Sequence, residues 1–154
     1  VSIGFTLNGA HVVPDIEAEA PLLAALRGPL GLSGPRFGCG AEQCGACLVL
    51  VEGAPAYACT LATGAVAGRH VTTVEGLGTP DAPHPAQRAL VAEQAGQCGF
   101  CLTGIVVRAA ALLREMPRPS AAQVKQALDP QLCRCGSHNR IVRAVLRAAA
   151  EMAA

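Results

Sequence analysis

Tryptophan is absent from this chain of 154 residues, tyrosine occurs once and phenylalanine three times. A core cannot be built on rings here, so Ala, Val and Leu must supply most of the 51% apolar content. Charge is scarce too. Asp, Glu, Lys and Arg make up 15% of the chain and nearly cancel to a net +1, against roughly 25% charged residues in an average soluble protein. Such a chain has no strong field with which to gather nucleic acid or anionic lipid, and neither is expected as a partner. Few charges and much apolar surface suit a face covered by another protein; an Ala-rich bias accounts for the same numbers. Long apolar runs are missing as well: Arg or Glu interrupts each Ala/Leu/Val segment before the ~18–20 residues that span a bilayer. Val1-Ser2-Ile3-Gly4-Phe5 has no basic n-region and no cleavage site, so no signal peptide is expected. The expected compartment is the cytoplasm, with export in a folded state alongside a partner as the alternative.

Cysteine is what the chain has. Its eight cysteines, at 39, 44, 47, 59, 98, 101, 133 and 135, fall below the roughly 8–10% of small disulfide scaffolds. A chain of this length can also build a core without staples. A disulfide framework therefore ranks behind a metal. The first four run C-x4-C-x2-C-x11-C, and the first three match the plant-type pattern of a 2Fe–2S centre. Three thiolates on one loop can wrap one face of a rhombic cluster. Gly38, Gly40 and Gly45 would allow positive φ and close approach, aiming amide N–H groups at the sulfurs. Four cysteines can also hold zinc, but zinc usually takes them from paired knuckles two to four residues apart. The last four form two clips, C-x2-C in Gln97-Cys98-Gly99-Phe100-Cys101 and C-x-C in Cys133-Arg134-Cys135. Each stands before a helical pattern, so helix N-termini can face one anionic group held by Cys98, Cys101, Cys133 and Cys135.

The order of elements follows from periodicity. Val1 to Leu7 alternates as a strand, Asn8-Gly9 marks a hairpin, and Ala10 to Ile16 returns. Pro21 opens a short helix over Leu22 to Arg27, and Gly28-Pro29 stops it. Cys47 to Val51 reads as a buried strand, Tyr57-Ala58-Cys59 as its partner, and His70 to Val74 as one more. The Gly/Pro-rich stretch 76–83 reads as a linker between a domain over 1–75 and one over 84–154. Helical patterns then cover His84 to Gln94, Thr103 to Glu115, a segment after the capping box Ser120-Ala121-Ala122-Gln123, and His138 to Met152. The fold class is α+β. His11, His70, His84 and His138 stand at no ligand spacing with a cysteine pair and read as ordinary histidines. Arg140, Arg143 and Arg147 share one helix face, read as solvated. Arg36 and Arg134 sit beside cysteines and could offset cluster charge or meet a partner.

Gly38-Cys39-Gly40-Ala41-Glu42-Gln43-Cys44-Gly45-Ala46-Cys47, together with Gln97-Cys98-Gly99-Phe100-Cys101 and Cys133-Arg134-Cys135-Gly136, closely resembles the iron–sulfur subunit of the molybdenum hydroxylases, the xanthine oxidase and aldehyde oxidoreductase family. The likeness runs along the whole chain and is nearest to the separate small subunits of the isoquinoline 1-oxidoreductase and nicotinate dehydrogenase type. It implies a β-grasp, plant-ferredoxin-like domain and a four-helix domain, each with one 2Fe–2S cluster. The implied oxidoreductase complex includes a large subunit with the molybdopterin cofactor. Electrons would leave by a flavin (FAD) subunit, a haem cytochrome or a soluble acceptor during oxidation of an N-heterocycle or aldehyde. By the same resemblance Gln97 should hydrogen-bond the pterin, and the Cys135 sulfur should lie near its amine. Leu102-Thr103-Gly104 departs from the family's common Thr-Pro-Gly, Gln131 stands where Asn often does, and Ser137-His138 replaces a more usual Thr-Tyr. The alternatives are a free-standing two-cluster ferredoxin and a zinc-binding interaction module.

Overall fold

The computed structural model describes residues 2–154. Val1, expected to begin the first strand, lies outside them. A five-stranded sheet forms the first half, from β1 (Phe5–Leu7), β2 (Ala10–Val12), β3 (Leu48–Val51), β4 (Ala54–Tyr57) and β5 (His70–Thr72), in the order β2-β1-β5-β3-β4. β1 and β5 run parallel and the other pairs antiparallel. Asn8 (φ 49°) and Gly9 (φ 87°) make the hairpin turn from the left-handed region, which Asn and Gly tolerate best. One short helix, α1 (Leu22–Arg27), buries Leu22, Leu23 and Leu26 against the sheet core of Phe5, Leu7, Val49, Val51 and Val71. A mixed sheet with one helix across it is the β-grasp arrangement.

The second half is helical: α2 (Pro85–Ala92), α3 (Leu102–Glu115), α4 (Ala121–Leu128) and α5 (His138–Met152). α2 begins at His84, whose Nδ1 accepts the Ala86 N–H at 3.1 Å while the Gln87 side chain accepts the His84 N–H. α4 begins with the reciprocal bonds of Ser120 and Gln123. Ile105, Val106, Ala109 and Leu113 of α3 pack with Ala89 and Leu90 of α2, Val124 of α4, and Ile141 and Val145 of α5.

α3 also joins the two halves. Its opposite face puts Val107 and Ala111 on Leu48 and Leu50 of β3. That explains β3, whose four residues are all buried: Val49 and Val51 face α1, and Leu48 and Leu50 face α3. The Arg108 guanidinium donates to the Tyr57 hydroxyl at 3.3 Å, and Arg114 donates to the Gly53 carbonyl.

Several expected elements are shorter. The first hairpin pairs over three residues on each strand rather than seven, because Pro14 and the turns after it break the ladder. Cys47 and Cys59 flank β3 and β4 instead of lying within them. Two 3₁₀ turns also form, Thr63–Val66 in a stretch given no element and Val74–Gly76 where the last strand is expected to end and the linker to begin. Leu77, inside the expected linker, packs against both the helical core and the α3–β3 contact. No helix among the described residues is long and apolar enough to cross a membrane.

Candidate metal centres

The eight cysteines are free of disulfides and stand in two quartets. In the first, the side chains of Cys39 and Cys44 are within hydrogen-bond reach of each other, as are those of Cys47 and Cys59. The loop carrying Cys39, Cys44 and Cys47 wraps its own sulfurs. Cys39 Sγ accepts the N–H groups of Ala41 (3.3 Å), Gln43 (3.2 Å) and Cys44 (3.3 Å), and Cys44 Sγ accepts that of Cys39 (3.4 Å). Gly40 and Gly45 have φ of 66° and 77°. Gly38 does something else: its φ is ordinary, but a Cβ there would lie 2.6 Å from Cys44 Sγ. Glu42, also left-handed at φ 60°, is held by the Thr60 hydroxyl one residue beyond Cys59.

In the second quartet, Cys98 is paired with Cys135, and Cys101 with Cys133. Cys98 Sγ accepts the Phe100 N–H at 3.5 Å. The N–H groups of Ser137, Cys135 and Gly136 lie close enough to the Cys133 sulfur to favour its thiolate. Cys101 and Ser137 stand at the N-caps of α3 and α5 without a side-chain cap bond. The positive N-terminal ends of two helices therefore lie beside the clips, although Leu102 N–H, the first of α3, donates to the Gly99 carbonyl at 3.3 Å. Gly99 and Gly136, both at φ 79°, make the clip turns.

The thiols divide by environment. Bonds from the Ala41 and Gln43 N–H groups draw Cys39 down to about 7, whereas burial pushes Cys47 and Cys101 up to about 12. The Phe100 N–H lowers Cys98. Burial would raise Cys133, yet the bonds from Ser137 and its neighbours outweigh it and the net direction is downward. Each quartet thus has an exposed member already inclined to the thiolate (Cys39, Cys98) and a less exposed one held in the thiol form (Cys47, Cys101), which would give up its proton to a bound metal. The two pairs of sulfurs in each quartet would suit a 2Fe–2S cluster. The N–H groups on sulfur, the left-handed glycines and the helix N-termini beside the second quartet all fit an anionic sulfur cluster.

The quartets are neighbours. Leu132 N–H donates to the Cys44 carbonyl at 2.9 Å. Arg36 donates to the carbonyls of Gly99 (2.8 Å) and Phe100 (3.0 Å) and lies 5.3 Å above the Phe100 ring. Arg36 therefore clamps the two cysteine segments together, a role the sequence did not reveal. Gln97 and Cys135, both exposed, lie on a cavity of about 560 Å³ shared with Ser137, Asn139, Arg140 and Arg143. The arginine face of α5, read as solvated, holds the end of α2: Arg140 donates to the Gln94 carbonyl, and Arg143 and Arg147 pair with Glu93 at 3.6 and 3.2 Å.

Two cysteine quartets on neighbouring domains, each wrapped in N–H groups, define an iron–sulfur electron-transfer protein with two centres. Comparison with known proteins agrees. The family described as "2Fe-2S iron-sulfur cluster binding domain" matches residues 5–69, and "[2Fe-2S] binding domain" matches 73–146. The chain is 47% identical over 148 residues to a subunit of nicotinate dehydrogenase from Pseudomonas putida, spanning 96% of this chain and 94% of that protein. It is 49% identical over 152 residues to the alpha subunit of isoquinoline 1-oxidoreductase from Brevundimonas diminuta, spanning 98% and 99%. Quinoline 2-oxidoreductase from Pseudomonas putida 86 superposes with a TM-score of 0.94 at 35% identity, over 99% of this chain and 95% of that one. The chain belongs to the iron–sulfur small subunits of the molybdenum hydroxylases. It is an electron-transfer subunit of an oxidoreductase complex with two 2Fe–2S clusters, and its large partner binds the molybdopterin cofactor. The free-standing ferredoxin is not favoured, because these full-length relatives are subunits of larger enzymes.

Proposed function

We propose that Cys39, Cys44, Cys47 and Cys59 hold one 2Fe–2S cluster, that Cys98, Cys101, Cys133 and Cys135 hold the other, and that Gln97 and Cys135 face the pterin of the partner's cofactor. Residues 1–75 and 84–154 are then the two cluster domains, with 76–83 between them. When bound, each cluster takes up and releases one electron. The protein's part is to hold the thiolates, offset their charge with N–H groups and keep the centres close.

The observation that carries this reading is the convergence of both quartets, with backbone N–H groups on their sulfurs and a direct hydrogen bond between their segments. The exposed edge at Cys135 and Gln97 opens onto the polar cavity, which suits a hydrogen-bonding heterocycle on the partner. Cys39, the exposed member of the other quartet, is the exit towards a flavin subunit, a haem cytochrome or a soluble acceptor. The substrate class is an N-heterocycle or an aldehyde. The names of the relatives, nicotinate dehydrogenase and isoquinoline 1-oxidoreductase, favour the heterocycle. The site of action is the cytoplasm, with folded export alongside a partner as the second reading.

Iron counts on the purified complex test the ligand sets. Cys47→Ala and Cys133→Ala should each lower iron from about four to about two per chain, and each should abolish a different cluster signal. Full iron with both signals in either variant would refute the assignment.

A further inference from the structure

Gln131 is a buried polar residue, 3% exposed, beside the C-x-C clip. Its backbone N–H is tied to the Leu128 carbonyl at the end of α4. Its side chain lies flat over Gly45 in the first cysteine loop: a Cβ on Gly45 would be 2.2 Å from Gln131 Oε1 and 2.5 Å from Nε2. The same side chain borders Gly104, where a Cβ would be 3.2 Å from Oε1 and 2.0 Å from the Gly45 carbonyl oxygen. Three segments therefore meet with almost no side-chain volume except that of Gln131. Nε2 is buried without a hydrogen-bond partner. An apolar side chain would avoid that cost, so the residue's contribution here is its length and bulk.

The next residue makes the connection. Leu132 N–H on the Cys44 carbonyl is, among the described residues, the one backbone hydrogen bond between the two cysteine segments. It links Cys44 directly to the peptide preceding Cys133. Elsewhere the quartets face each other across an apolar cleft of about 300 Å³ lined by Cys39, Cys44, Cys98, Cys101 and Leu132. A covalent path with one short hydrogen bond couples donor and acceptor better than a gap does.

We propose that Gln131 is a positioning residue for electron transfer between the two centres, the spacer that holds Leu132 N–H on the Cys44 carbonyl. The electron passes between Cys133 Sγ and Cys44 Sγ through the Cys133 backbone, Leu132, the hydrogen bond and the Cys44 carbonyl. One centre is oxidised as the other is reduced; no bond breaks and no proton moves. The inference rests on the ligand sets proposed above.

The test uses the intact complex carrying Gln131→Ala, Gln131→Asn or Gln131→Met. Three quantities are read: iron per chain, the magnetic splitting between the two reduced centres, and the rate of their electron exchange after flash reduction. In Gln131→Ala both cluster signals should persist. The splitting should change and the rate should fall severalfold as the hydrogen-bonded path lengthens. Gln131→Met, which keeps length and bulk, should restore both readouts, and Gln131→Asn should lie between. Unchanged splitting and rate in a fully loaded Gln131→Ala protein would overturn the proposal. If Gln131→Ala fails to load, Gln131→Asn against Gln131→Met decides, and a Met variant as slow as the Asn variant would show that the amide matters rather than the bulk. A wild-type complex with fewer than two clusters would instead refute the ligand assignment.

Discussion

Gly104→Ala sets two effects of opposite sign against each other. Gly104 lies in the first turn of α3, and in an exposed helix Ala is favoured over Gly by about 1 kcal/mol. Here the added Cβ would stand 2.0 Å from the carbonyl oxygen of Gly45. Close carbon–oxygen contacts settle near 3.3–3.6 Å, so the loop must retreat by more than about 1 Å. Gly45 has little freedom to do so: it is left-handed at φ 77° and lies between Cys44 and Cys47. Forcing a methyl group into such a contact costs about 1–3 kcal/mol. Overpacking therefore wins, with a net loss of up to about 2 kcal/mol and a Tm lower by a few degrees at this chain length. Thermal scans of the complex at one scan rate, read by the visible cluster absorption, give the sign. A Gly104→Ala protein with a raised Tm and unchanged cluster spectra would refute the reasoning, because Gly104 would then be an ordinary helical glycine.

Gly38→Ala should remove the first cluster's signal and spare the second, because its Cβ would meet Cys44 Sγ at 2.6 Å; reduced spectra of the loaded complex check this. Leu113→Ala should destabilise by about 2–5 kcal/mol through the cavity left at the centre of the helical core, measured as the shift in denaturation of the complex. His84 has its pKa lowered from 6.5, first by burial and then by Arg88, and its Nδ1 accepts the Ala86 N–H. Its contribution is thus complete above 6.5 and is lost as pH falls through the lowered folded value. The cap involved is worth about 0.5–2 kcal/mol. Tm profiles of wild type and His84→Ala, which has no cap to lose, should converge as the solution is acidified, and parallel profiles would contradict the assignment.

Much of the fold was legible because its punctuation is local. Pro21 and Gly28 bound α1, Ser120 and Gln123 cap α4, and the apolar spacing from Ile141 to Ala149 defines α5. Both quartets could be read from cysteine spacing, since cysteines on one loop or clip must be near each other. What escaped depends on partners distant in sequence. A one-face reading of α3 includes Ile105, Val106 and Ala109 but misses Val107 and Ala111, which are buried only because β3 lies behind them. Arg140, Arg143 and Arg147 are exposed, as read, but their bonds to Gln94 and Glu93 at the end of α2 cannot be told from the spacing on α5 alone. Gln131 reads as a loop residue until Gly45 and Gly104 converge on it. The short first hairpin and the two 3₁₀ turns escaped for a further reason: strand ends are settled by pairing and are weakly encoded in periodicity.

The central claim is that this chain carries two 2Fe–2S centres in series beside a molybdenum subunit. EPR of the dithionite-reduced complex, with iron and molybdenum counted on the same sample, tests it most directly. The account predicts two distinct S = 1/2 rhombic signals, about four iron per chain, and molybdenum in the complex. A single signal, or two signals on a chain that purifies without a molybdenum partner, would contradict it.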